Sequence, residues 1–348
     1  MAGNLSLRNK MLLICFGTRP EYIKIKPLLK AFEGKISYEL LFTGQHEDLL
    51  SNIHGPNIRR LTIQQGPNRL DSIVSSIMNQ DKVFEDIDSV IVQGDTTSAF
   101  AVALAAFHRN IRIVHLEAGL RTWDLRNPYP EEFNRQAISR MSNIHLCPTE
   151  LSAKNLNSEN IYNCVHVVGN TVLDNIREVV PEYTNVVLVT MHRRENHNIM
   201  DKWFTAINRV ASLYPQLSFV IPLHPNPNVK KHIKLLSNLE VISPLQHEDF
   251  INLIAKCRLI ITDSGGIQEE SSFLRKKCIV CRKTTERPEG LGDFSYLCEK
   301  PADLYDLFRH LNSGDKFIPD SAVTCPYGDG DASTKILKIL LDEGEDEE

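Results

Sequence analysis

The chain has 348 residues, 42% hydrophobic and 24% charged, the balance of an ordinary globular protein, which excludes a fibrous or wholly disordered chain. Its formal charge of −5 belongs to the tail: six of the seven residues from Asp342 to Glu348 are acidic, and without them 39 Lys and Arg face 38 acids. A neutral body carries no electrostatic footprint for nucleic acid or an anionic membrane. The longest apolar run, near Ala99–Phe107, is about half of the ~20 residues that a bilayer span needs. Met11–Phe16 is too short for a secretion signal and lacks a small-residue cleavage site, so the reading is a soluble, cytoplasmic protein.

Short runs rich in Val, Ile and Leu recur, each followed by a polar turn and a helix-sized stretch. The first half gives Met11–Phe16, Glu39–Thr43, Ser89–Gln93, Arg112–Leu116, His145–Pro148 and His166–Val168. The second gives Asn185–Thr190, Ser218–Pro222, Glu240–Ile242, Leu259–Thr262, Lys277–Cys281 and Ser295–Cys298. They lack polar alternation, as strands buried on both faces do. Helical stretches such as Pro27–Phe32, Thr97–Phe107 and Met200–Leu213 separate them. This alternation predicts an α/β protein with two doubly wound parallel-sheet, Rossmann-like domains, residues 1–178 and 182–325. Asn170–Val180 reads as a helix, and Pro181-Glu182-Tyr183 as its stop and the linker.

Eight cysteines in a chain this long are not a disulfide framework. Cys278 and Cys281 have CxxC spacing, but on a strand an odd separation points the two sulfurs to opposite faces. No second pair or His partner accompanies them, so both are assigned to the core and no metal is expected.

Open α/β sheets bind ligands at the carboxyl ends of their strands, so the turns there carry the chemistry. Gly17-Thr18-Arg19-Pro20-Glu21-Tyr22-Ile23-Lys24 offers a tight turn, a helix start and two cations, which suits a phosphate. In Gly94-Asp95-Thr96, either Asp95 or Thr96 suits a helix cap. His115–Thr122 places Glu117 at a strand end, where burial demands a partner and Arg121 is the near candidate. Glu131, Glu132 and Arg135 fall in the first turns of the next helix, where acids also suit the dipole. In the second half His192 lies between a strand and Arg193-Arg194, and His224 opens a stiff loop. Asp263-Ser264-Gly265-Gly266 brings bare backbone N–H groups to a helix start, a cradle for a diphosphate, with Glu270 one turn in and placed for a ribose diol. There is no GxGxxG after a strand, no GxxxxGK[ST], no GxSxG and no HExxH, so a bound dinucleotide, a P-loop, a hydrolase elbow and a zincin all lack support.

Gly17–Glu21, Thr43-Gly44-Gln45-His46, Gly94-Asp95-Thr96, His115–Thr122, Pro130–Arg135, Val168–Thr171, His192–Asn196, Asp263–Glu270, Thr285–Glu289 and Pro326–Gly330 stand in the order found in one family. Through them the chain resembles the non-hydrolysing UDP-N-acetylglucosamine 2-epimerases. The resemblance implies the glycosyltransferase-B type of fold, a homodimer, and a last helix within residues 326–341 returning to the first domain. It implies inversion of carbon 2 of UDP-GlcNAc to UDP-ManNAc through a glycal, with a UDP-sugar as substrate and no cofactor. Asp95, Glu117 and Glu131 become the acid/base residues, three neighbouring carboxylates of which one should have a raised pKa, and His192 assists the diphosphate. Arg19, Lys24, Arg135 and Arg287 would hold sugar and phosphates, Ser264, Gly265 and Gly266 the diphosphate, Glu270 the ribose and Phe250 the uracil.

The chain departs from that family at Tyr22, where Ala is usual, and at Leu245, Ser271-Ser272 and Lys277-Cys278. Asp48 stands where activated members carry a Gln beside a second UDP-GlcNAc, and Pro67 where they carry Arg, so simple hyperbolic kinetics are expected. The competing readings are a 2-epimerase for another UDP-N-acetyl sugar such as a 6-deoxy-L-hexosamine, a hydrolysing relative, and a nucleotide-sugar-binding protein or glycosyltransferase on the same fold.

Overall fold

The computed structural model describes residues 11–45 and 57–342. His46 and Asp48, and most of the acidic tail, lie outside these residues. The described residues form two compact units, one running to Asn175 and resuming at Gly328, the other Ile176–Tyr327.

In the first unit the chain runs β1 (Leu12–Phe16), α1 (Arg19–Phe32), β2 (Tyr38–Phe42), β3 (Ile58–Arg60), α2 (Arg69–Met78), β4 (Ser89–Gln93), α3 (Thr97–His108), β5 (Arg112–Leu116), α4 (Glu131–Met141), β6 (Ile144–Cys147), α5 (Glu150–Ser158) and β7 (Val165–Val167). Its seven strands are all parallel, in the order β3-β2-β1-β4-β5-β6-β7. The order reverses between β1 and β4, the switch point at which open sheets bind ligands. Leu12, Ile14 and Phe16 enter one apolar cluster and Leu13 and Cys15 another, so β1 is covered on both faces and must be apolar throughout. Sequence periodicity does not find β3. It is an edge strand of three residues, Ile58-Arg59-Arg60, whose Arg59 pairs with Glu39 and donates to the carbonyls of Val83 and Glu85.

The second unit runs β8 (Val186–Thr190), α6 (Met200–Leu213), β9 (Ser218–Pro222), α7 (Pro227–Lys230), β10 (Glu240–Ile242), α8 (His247–Lys256), β11 (Leu259–Thr262), α9 (Gly265–Phe273), β12 (Cys278–Val280), β13 (Ser295–Leu297) and α10 (Leu304–Leu311). Its sheet is again parallel, ordered β10-β9-β8-β11-β12-β13, with the switch point between β8 and β11. Cys281 joins the apolar cluster that contains Ile279, while Cys278 faces Ser271 and Ser295, so the two thiols point away from each other.

The helix expected over Asn170–Val180 is instead a 3₁₀ segment, Thr171–Ile176. Asn170 and Asp174 have other duties: the Asn170 side chain accepts from the Val172 N–H, and the Asp174 carboxylate caps α11 (Ala332–Asp342) through the N–H groups of Ala332 and Ser333 at 3.0 and 2.7 Å. Ile336, Leu337 and Leu340 of α11 join the cluster containing Ile25, Leu28 and Phe32 of α1.

Lys276 is fully buried, its ammonium donating to the Glu182 carbonyl and lying 3.7 Å over the Tyr183 ring. Burial pushes its pKa from 10.5 down to about 8. The folded state therefore bears the cost of the buried charge below pH 8 and sheds it between pH 8 and 10.5. Against Lys276→Met, wild type should gain about 2 kcal/mol of relative stability from pH 7 to pH 10. Urea unfolding at the two pH values measures this, and a constant difference would contradict it.

Candidate active site

The β1–α1 turn is built by Thr18, which caps α1 in a reciprocal capping box with Glu21. The buried Glu21 carboxylate accepts the N–H groups of Gly17 and Thr18 at 2.9 and 2.6 Å and the Thr96 hydroxyl at 2.6 Å. Burial raises its pKa, against the pull of these donors. Glu21 thus locks the turn bearing Arg19 to the β4–α3 turn bearing Asp95. Arg19 is exposed at the first position of the helix, and Lys24 reaches inward from its second turn. The Tyr22 ring lies 5.2 Å from that of Phe16, the last residue of β1.

Lys24, not Arg121, is the cation on Glu117. Its ammonium lies 2.6 Å from both carboxylate oxygens, while Gln93 donates to Oε2 and Asn170 to Oε1 at 3.4 Å. Arg121 is committed elsewhere, to Glu159 at 2.6 and 2.9 Å and to Ser139. The reason is geometric: β5 ends at Leu116, and Glu117 adopts φ +67°, which turns its side chain back toward α1. A non-glycine residue in that region costs roughly 1–2 kcal/mol, so the carboxylate is held there by its three donors. Gly94 beside it is at φ +69°, a backbone conformation that glycine adopts without strain.

Asp95 does not cap α3, a duty that falls to Thr96. Its carboxylate is gripped by Nε and Nη2 of Arg135, and its carbonyl accepts from Asn134 at 2.9 Å. Arg135 is buried and also pairs with Glu132 at 3.0 Å, so it acts first as the counter-ion that orients Asp95. Glu132, fully buried, receives the N–H groups of Thr122 and Trp123 and anchors the loop before α4. Glu131 begins α4 beside these groups. Behind them His115, neutral because burial lowers its pKa to about 3, lies 2.8 Å from the Gly94 carbonyl. Asp95 and Glu117 thus each pair with a cation, Arg135 and Lys24.

In the second unit, fully buried Asp263 organises the turn after β8. It accepts the N–H groups of His192 (3.0 and 3.1 Å) and Arg193 (3.0 Å) and the side-chain amide of Asn196 (3.0 Å). The His192 ring stacks on His224 with centroids 5.2 Å apart and 15° between planes. Burial lowers the pKa of both imidazoles, so His192 is neutral near pH 7 and suited to donating a hydrogen bond.

Ser264 precedes α9 and Gly265 and Gly266 open it, but the two glycines differ. A Cβ on Gly265 would lie 2.7 Å from both Arg287 Nη1 and Glu286 Oε1, whereas one on Gly266 meets nothing within 4 Å. Gly266 is the open face of the turn; Gly265 is packed against the protein. Arg287 is buried and held by Glu269 at 2.7 Å and Glu286 at 2.6 Å. Glu286 also pairs with Arg282 at 2.8 Å, which pairs with Glu195 at 2.7 Å, and lies 3.6 Å from Arg193. Three arginines thus meet three carboxylates. Glu270 is 3.1 Å from His247 Nε2, and Phe250 lies half-buried one turn further along α8. Gln93, Asn170, Asp263 and Glu286 were missed as site-shaping residues. Their signal was position in strand-end motifs, but Gln93, Asn170 and Asp263 find partners on segments distant in sequence.

No helix among the described residues is long and apolar enough to cross a membrane. The sequence profile of the family described as UDP-N-acetylglucosamine 2-epimerase matches residues 30–341. The chain is 37% identical to the UDP-N-acetylglucosamine 2-epimerase of Campylobacter jejuni, over 95% of this chain and 97% of that one. It is 37% identical to the enzyme of the same name from Bacillus subtilis, over 96% of each. Its fold superposes with a TM-score of 0.86 on the Neisseria meningitidis UDP-GlcNAc 2-epimerase bound to UDP-GlcNAc, at 35% identity over 95% of this chain and all of that one. Paired strand-end carboxylates in one doubly wound unit and a glycine-opened helix in the other are carried on a sequence matched along almost its whole length, and the chain belongs to the UDP-N-acetylglucosamine 2-epimerase family of enzymes.

Proposed function

We propose that the protein inverts carbon 2 of the sugar of UDP-N-acetylglucosamine, giving UDP-N-acetylmannosamine, by eliminating UDP to a glycal and adding it back. The observation that carries this reading is the carboxylate of Glu117, held at a strand end by Lys24, Gln93 and Asn170 and followed across the edge by Asp95 on Arg135. Carbon 2 bears no acidifying carbonyl. Cleavage of the anomeric C–O bond, with the electron pair leaving on the diphosphate, allows the C2 proton to go to a carboxylate and the C1–C2 double bond to form. Re-addition of UDP at C1 with a proton delivered to the other face of C2 restores a nucleotide sugar. The overall change is an isomerisation with no net oxidation, so no electron carrier is required.

Acid and base groups are needed on both faces of C2. Asp95, Glu117 and Glu131 fill these roles, with Lys24 and Arg135 setting the position of two of them. The neutral His192 donates to the departing diphosphate, whose charge is shared by the N–H groups at the start of α9 around Gly266. Glu270 accepts from the ribose and Phe250 packs against the uracil. Arg19 supplies an exposed cation for the sugar or phosphates. The protein works as a homodimer in the cytoplasm.

Incubation with UDP-N-acetylglucosamine in heavy water tests the proposal. NMR should show UDP-N-acetylmannosamine accumulating with one deuterium at C2 in both epimers and no free N-acetylmannosamine. Free sugar as the first product would point to a hydrolysing enzyme, and epimerisation without exchange would exclude proton transfer through solvent-accessible carboxylates.

A further inference from the structure

Arg287 is held through its N–H, its guanidinium and its carbonyl. Its N–H donates to the Thr285 hydroxyl at 3.1 Å, and that hydroxyl donates to Gln268 of α9 at 3.0 Å. Its guanidinium pairs with Glu269 and Glu286 and fills the space beside Gly265. Its carbonyl accepts from the phenol of Tyr327 at 3.0 Å, and the same phenol oxygen accepts the Gly290 N–H at 3.1 Å. Tyr327 is 1% exposed, and burial keeps its phenol protonated. Gly290 makes the approach possible: a Cβ there would lie 2.9 Å from the phenol oxygen. One hydroxyl therefore closes the 287–290 turn, and it belongs to the last residue of the second unit, immediately before the chain resumes the first at Gly328.

We infer that Tyr327 is a positioning residue: its hydroxyl fixes the Arg287 backbone and, through the guanidinium packed on Gly265, the helix start that receives the diphosphate. The inference rests on the reading of that turn as the UDP site. A residue used only for packing would act through its ring, which Tyr327→Phe preserves.

The test is UDP binding by calorimetry, with steady-state kinetics, on the full-length protein well below its melting temperature. Tyr327→Phe should weaken UDP about tenfold, the cost of leaving buried backbone groups unpaired, with KM rising more than kcat falls. Tyr296→Phe is the matched control, because its hydroxyl also donates to a backbone carbonyl, that of Gly292 at 2.6 Å, two residues beyond the turn and without contact to Arg287 among the hydrogen bonds that fix it. It should leave UDP affinity within about twofold. Gly290→Ala displaces the phenol from the other side and should reproduce the loss, which decides the matter should Tyr327→Phe fold poorly. Wild-type UDP affinity in a folded Tyr327→Phe or Gly290→Ala protein overturns this inference alone, as does an equal loss in Tyr296→Phe. Wild-type protein that binds no UDP overturns the diphosphate reading together with it.

Discussion

Glu117→Gln should lower turnover by about 100-fold or more while UDP binds as before, because it removes a proton-transfer group from one unit and leaves the nucleotide contacts of the other untouched. The structure sharpens the reason. Both oxygens of the Glu117 carboxylate face donors: Lys24 on both, Gln93 on Oε2 and Asn170 on Oε1. A glutamine amide must turn its NH₂ toward at least one of them, so the variant loses the base and also sets donor against donor. Lys24, half-buried, then loses the carboxylate it pairs with at 2.6 Å. Glu131→Gln, whose side chain starts α4, should also lower turnover by about 100-fold. Deuterium wash-in at C2 reads the chemistry and calorimetry reads UDP. Turnover within a few-fold of wild type in both variants would remove the carboxylates from the mechanism.

The second large effect concerns the start of α9. Sequence alone assigns both Gly265 and Gly266 to the diphosphate, so a valine at either would be expected to block it. The structure separates the two. Valine at 265 strikes Arg287 and Glu286 and breaks a buried ion-pair network, so it should unfold or loosen the unit. At Gly266 the new side chain meets open space, and only a ligand lying against the backbone would be excluded. Gly266→Val should therefore keep the wild-type melting temperature within a few degrees and weaken UDP by about 100-fold or more. Undiminished UDP affinity in Gly266→Val would falsify the cradle.

The fold was legible where burial on both faces makes strands continuously apolar, as in Leu12–Phe16 and Leu259–Thr262. It was not legible at Ile58–Arg60, where an edge position replaces apolar residues with arginines, nor at Thr171–Ile176, a 3₁₀ segment whose Asp174 caps a helix more than 150 residues further along the chain. Site residues could be placed at strand ends because every βα turn in a parallel sheet emerges there. Their partners could not. Glu117 is four residues from Arg121 but pairs with Lys24, ninety-three positions away, because the pairing is set by strand order and by the backbone turn at φ +67°. The same is true of Asp95 and Arg135, and of the Arg287 guanidinium behind Gly265.

The first unit is assembled from two separated stretches of chain, and its last helix, α11, buries Ile336, Leu337 and Leu340 against the α1 side of the sheet. On the ribosome these stretches emerge far apart in time. At roughly 5–20 residues per second, the intervening Ile176–Tyr327 takes on the order of 10–30 s to synthesise. Throughout that interval the apolar surface of Ile25, Leu28 and Phe32 waits without its final cover, while the second unit has all of its own strands in one uninterrupted stretch. That face of α1 is therefore the part of the first unit that waits longest for its apolar partner during synthesis.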